Sequence, residues 1–99
     1  MPLTTVDRLV ALSGFRPPDL LVLDARKYGV PVLYGAMRTL AEHKPVLLFS
    51  ADPPGVRRDY DTTEHYTRFI DLMSRANYWL ASHPNRYDYV MWPAEAANA

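Results

Sequence analysis

The sequence predicts an α/β domain, and its segment order and two kinds of strand carry that prediction. Helical and strand-like segments alternate along the chain, the pattern of a parallel sheet with right-handed crossovers. The apolar runs Leu20–Leu23 and Pro45–Phe49 are too short for helices and read as strands covered on both faces. An alternating aromatic segment near the carboxyl end reads as a hairpin and adds an antiparallel element. The expected content is two parallel strands, that hairpin and about three helices.

Thr4 or Thr5 caps a short first helix, Val6–Ser13, which Gly14 ends. Pro17 and Pro18 precede the first strand. Pro31 suits the first turn of a second helix running to about His43, with Leu33, Ala36, Met37, Leu40 and Ala41 along one side. Gly35 permits close approach to a neighbour there. Pro45 begins the second strand, and 51–60 is a loop marked by Pro53, Pro54 and Gly55. Asp61 and Glu64 have capping-box spacing and open a third helix with the stripe Tyr66, Phe69, Ile70 and Met73. Asp71 and Arg75 stand one turn apart, placed to pair. Tyr78–Ser82 and Tyr87–Trp92 are the hairpin strands, with His83–Arg86 between them.

The 99 residues form one unit over 1–93, followed by a flexible tail over 94–99. Such a chain buries roughly 65% of its unfolded surface. Apolar residues make up 48% and charged residues 22%, ordinary globular values. Eleven basic and eleven acidic residues cancel, and no basic stripe exists to follow a phosphate backbone, which argues against nucleic acid. The absence of cysteine removes disulfides, thiolate zinc sites and cysteine nucleophiles. No apolar run is long enough to span a bilayer, and Met1–Leu3 lacks the regions of a signal peptide. The expectation is a soluble, cytoplasmic chain.

Residues 2–50 resemble a stretch of the FkbM-type methyltransferases, a family that uses S-adenosylmethionine on a Rossmann-like fold. The residues that carry the resemblance are Pro2–Leu9, Asp19–Asp24, Val32–Ala36, Thr39, Leu40 and Lys44–Phe49. It implies a truncated Rossmann-like (class I methyltransferase-like) half-sheet, with Leu20–Leu23 and Pro45–Phe49 as the family's fourth and fifth strands. Two departures bear on activity. The family's amino-terminal half, with its glycine-rich turn and ribose-holding acid, has no counterpart here, and Gly14, Gly29, Gly35 and Gly55 are isolated. The family's charged motif after the fourth strand is changed at Val22, Asp24, Ala25, Arg26 and Lys27, leaving only Asp24 of the charged set. Arg26 in place of an acid inverts the local charge. The resemblance therefore implies fold and ancestry rather than catalysis, with no catalytic residues and no cofactor.

Asp24, Arg26, Lys27 and Tyr28 lie beyond the carboxyl end of a strand, where open α/β sheets bind ligands. Arg26 and Lys27 ahead of the next helix suit an anion, or read simply as solvated bases. Asp59, Asp61, Glu64 and His65 are dense enough to weigh as a metal site. Asp61 and Glu64 already serve the helix cap, however, and no second histidine stands one turn from His65, so no metal is expected. Asp52 either starts the proline turn or sits near a substrate, with the turn favoured. His43 and His83 fall at a helix end and in a turn. Trp79, Tyr89 and Trp92 are the interface candidates among the terminal aromatics.

Without the family's first strand, Leu20, Leu21, Val22 and Leu23 present an apolar edge with no lysine, proline or glycine to blunt it. Two copies can pair there, a different protein can add a strand, or the Val6–Ser13 helix can fold over it. The leading expectation is a non-catalytic methyltransferase-like domain serving as an assembly or accessory subunit through this edge. The alternative is one half of a split S-adenosylmethionine-dependent methyltransferase completed by a partner chain. A decayed fragment is the third reading.

Overall fold

The computed structural model describes residues 4–12, 16–24, 28–53, 55 and 60–94. Its elements are α1 (Val6–Leu12), β1 (Leu20–Leu23), α2 (Gly29–Tyr34), α3 (Met37–His43), β2 (Val46–Ser50), α4 (Thr62–Ala76), β3 (Tyr78–Ser82) and β4 (Asp88–Pro93). They build an α/β fold around one open, mixed sheet of strand order β1-β2-β4-β3. β1 and β2 pair in parallel, from Leu20 beside Val46 to Leu23 beside Phe49. β4 returns antiparallel between β2 and β3, closing the aromatic hairpin. Between Leu80 and Ser82 the register slips by one residue, which puts a bulge at Ala81 in the β3 edge.

Side chains alternate across a strand, so each strand divides its residues between two faces. Leu23, Leu47, Phe49, Tyr89 and Met91 point to one face and are buried there with Val30, Leu33, Leu40, Phe69, Leu72 and Met73 from α2, α3 and α4. Phe49 and Phe69 stack with centroids 4.2 Å apart and planes 8° from parallel, at the centre of this layer. The other face is not covered as the continuous apolar runs lead one to expect. Leu20 and Val22 are 56% and 53% exposed. The expectation of two covered faces fails because the buried side chains of α2, α3 and α4 all join the same core, on one side of the sheet.

The second predicted helix is in fact two, which makes four helices in place of about three. The Gly35 and Ala36 N–H groups bond back to Pro31 and Leu33 in a tightened turn, and the chain then starts α3 afresh. The start of α1 sits in that break. Asp7 N–H donates to the Gly35 carbonyl at 2.7 Å, and Thr5 lies so close that a Cβ at Gly35 would come within 3.0 Å of it. The Asp7 carboxylate accepts from the Arg38 and Thr39 N–H groups at 3.1 and 2.7 Å and from the Thr39 hydroxyl. Those are the donors a local N-cap satisfies, and Ala36, the residue in that position, has no side chain to do so. A carboxylate 32 residues distant in sequence caps α3.

Other expectations hold closely. Thr5 Oγ1 accepts from Arg8 N–H, as the cap of α1, and the expected stop at Ser13 and Gly14 lies outside the described residues. Asp61 Oδ1 accepts from Glu64 N–H to open α4, and Asp71 pairs with Arg75 at 3.0 Å. Asn77, left-handed at φ 59°, closes the helix. Ala94, assigned to the tail, is buried and donates its N–H to the Asn77 carbonyl, while residues 95–99 lie outside the described residues. No helix among the described residues is long and apolar enough to cross a membrane.

Candidate interaction surface

Three places on the molecule hold the residues singled out from the sequence: the β1 edge, the outer face of the sheet, and the loops at the carboxyl ends of β1 and β2. β1 is the terminal strand of the sheet, with β2 on one side. Its four residues are all aliphatic and its pairing with β2 runs without a register shift. The opposite edge, β3, carries the Ala81 bulge. A bulge twists an edge away from further pairing, whereas a regular strand leaves its outer row of N–H and C=O groups in position to receive another.

The outer face joins residues that are far apart in sequence. Leu20 pairs with Val46 and Trp92 with Trp79, and extending the Leu47–Met91 pairing by one residue sets Val46 beside Trp92. One row across the sheet is therefore Leu20, Val46, Trp92 and Trp79. The next is Val22, Leu48, Val90 and Ser82. Seven of these eight side chains are apolar and none is charged. Trp79 is 56% exposed and Trp92 42%, consistent with outward rings. Tyr89 corrects its assignment as an interface ring. It falls on the inner side of β4, 6% exposed, between Phe69 at 5.4 Å and Tyr66 at 5.9 Å, with His83 stacked at 4.3 Å. Burial first, then the neighbouring Tyr66, pushes its phenol pKa up. Leu21 and Leu23 also turn inward, Leu23 fully, so their contribution to the edge is backbone rather than side chain.

The loop after β1 gives less. Asp24 and Tyr28 are exposed, and Ala25, Arg26 and Lys27 lie outside the described residues. Beside the carboxyl end of β2 there is a groove of about 400 Å³ between α2 and α4, lined by Val30, Tyr34, Tyr60 and His65 with Glu64 and Arg68 at its rim. His65 is buried, and its Nε2 accepts from the Val30 N–H at 3.3 Å. That role places the ring proton on Nδ1 and ties the first turn of α2 to α4. Asp52 is buried as well and accepts from the Tyr60 hydroxyl at 2.7 Å. That bond joins the segment after β2 to the residue just before α4, and the proline turn expected to start at Asp52 runs through 54 and 56–59, which lie outside the described residues. Glu64 is held by Arg68 at 2.8 Å. His65 thus joins α2 to α4 and Asp52 joins the segment after β2 to the start of α4, while the Glu64–Arg68 pair lies within α4.

Asp59 lies outside the described residues, and no group of three potential ligands among the described residues is placed to hold a metal ion. Gly29, at the start of α2, is buried with Phe49 Cζ only 2.8 Å from where a Cβ would stand, so a ring occupies the space its missing side chain leaves.

Sequence reasoning identified the edge and the outward tryptophans, but it missed Asp7, Tyr60 and the buried His65. Each acts across 8 to 35 residues of sequence, and no local motif marks such partners. Compared with known proteins, the chain matches no family model, no curated protein and no solved structure.

Proposed function

We propose that this chain is a non-catalytic assembly subunit that joins a partner polypeptide by strand addition at β1. One observation carries the reading: an all-aliphatic strand without a register shift ends the sheet, while the other edge is bulged. The residue chemistry at the strand ends supports it, because Asp52 and His65 are engaged with Tyr60 and the Val30 N–H in holding the fold together. The Rossmann-like, methyltransferase-like ancestry belongs to the same reading. A parallel strand pair, a helix and an antiparallel hairpin are compatible with the order that the resemblance implies.

Native mass spectrometry of the protein as purified tests this, combined with hydrogen exchange across residues 20–23. A bound partner with slowed exchange at β1 is expected, and Val22→Lys should abolish both. An unchanged complex in that variant overturns the reading. Retention of S-adenosylmethionine by the complex would favour instead the split methyltransferase.

A further inference from the structure

We propose that the outer face of the sheet is the seat of a second copy of this chain, packed sheet on sheet about a two-fold axis parallel to the strands. The face is a different surface from the β1 edge: strand addition extends the sheet in its plane, whereas this contact covers it from above.

The size of the face comes first. Trp79 at 56% and Trp92 at 42% together expose about one whole tryptophan, roughly 250 Å². With Leu20, Val22 and the half-buried Val46, Leu48 and Val90, the apolar patch reaches about 500–600 Å², as large as monomers normally show. Two such faces in contact remove about 1,000–1,200 Å², which reaches the lower end of specific interfaces. Charge does not oppose the match. The two rows carry no charged side chain. Asp88, next on the same face of β4, accepts from Ser50 Oγ and Asn85 Nδ2 and under this axis meets Ser50 of the second copy, so two copies meet without a like-charge penalty.

Shape selects the symmetry. The face is thick at one side, where Trp92 and Trp79 stand on β4 and β3, and thin at the other, where Leu20 and Val22 stand on β1. Under a two-fold axis parallel to the strands, β1 of one copy lies over β3 of the other. The row Leu20, Val46, Trp92, Trp79 then meets its own reverse, each tryptophan against an aliphatic residue. Large over small keeps the gap near the ~10 Å of packed sheets throughout. A two-fold axis across the strands would set β3 on β3 and β1 on β1, crowding the tryptophan-bearing strands together and leaving the thin side open. The contact is isologous and closed, so it stops at a dimer.

The chain carries its own reporter, because both of its tryptophans lie on this face. Sedimentation equilibrium should give a dimer, with tryptophan emission moving to shorter wavelength as concentration rises. Trp79→Glu should give a folded monomer by circular dichroism and remove the concentration dependence. Since the chain has no cysteine, crosslinking is clean. A mixture of Val22→Cys and Ser82→Cys proteins, treated with a short bifunctional maleimide, should yield the mixed dimer well above either like pair. A Val22→Cys like pair in excess, with Trp79→Glu still dimeric, means edge pairing and overturns the face contact. A wild type that stays monomeric at ~100 μM, above the concentrations where specific dimers form, also overturns it. Neither result for the face bears on strand addition by a different protein, which exchange at residues 20–23 reports separately.

Discussion

The two faces of the sheet have nearly the same chemistry and opposite environments. On the inner side Leu47, Phe49, Tyr89 and Met91 are buried under three helices. On the outer side Leu20, Val22, Trp79 and Trp92 stand in solvent. Both sets are apolar, and both lie on one four-stranded sheet. The difference lies in the connections: the buried side chains of α2, α3 and α4 all serve one core. Strand composition thus records that both faces are fit for burial, and the connections decide which one the chain itself buries.

Substitutions on either side measure that difference. Phe49→Ala should have the largest effect, removing the ring stacked on Phe69 and costing about 3–5 kcal/mol in denaturant unfolding. A loss near zero would mean that the inner layer is not the core. Asp7→Ala comes next, at about 1–3 kcal/mol, because it strips the cap from α3 and leaves the Thr39 hydroxyl and two amides without their acceptor. If stability is unaltered, α3 starts without help from α1.

Tyr78→Phe should cost about 1 kcal/mol near neutral pH, through loss of the bond its hydroxyl donates to the Pro45 carbonyl at 2.5 Å. It also predicts a pH effect. Burial pushes the Tyr78 phenol from 10.0 up to about 12. Below pH 10 both states are protonated and the native contact contributes in full. Between pH 10 and 12 the unfolded chain loses its proton first, so stability falls across that window. The phenylalanine variant should show a flatter profile there, and a profile unchanged from wild type would place the phenol in solvent. The smallest effect belongs to the outer face: Trp92→Thr should move the stability of the dilute monomer by no more than about 0.5 kcal/mol. A loss as large as that of Phe49→Ala would show the two faces to be equally buried.

The elements legible in the sequence are those defined by neighbours along it. Asp61 three residues before Glu64, Asp71 four before Arg75, and the apolar runs on either side of 24–45 each announced an element that formed. What could not be read depends on partners far along the chain. The run from Pro31 to His43 looks like one helix until Asp7 supplies a second N-terminus within it. Leu20–Leu23 has the same letters whether one layer or two cover it. Tyr89 and Trp92 belong to one alternating strand, and only the register with β2 shows which of them turns inward. Of the candidate surface, the unblunted strand was visible beforehand, whereas the joining of Leu20 to the tryptophans through Val46 required the strand order.

The bulge at Ala81 has a consequence for growth. A sheet with two regular edges is a repeating template: each strand that adds exposes another, and fibres follow. Here the β3 end is bulged, so under the proposed strand addition this chain offers one regular edge only, and further growth depends on what the partner carries at its far side. The slip in register between Leu80 and Ser82 is in this sense a stop codon for sheet extension, written in the backbone rather than in charge.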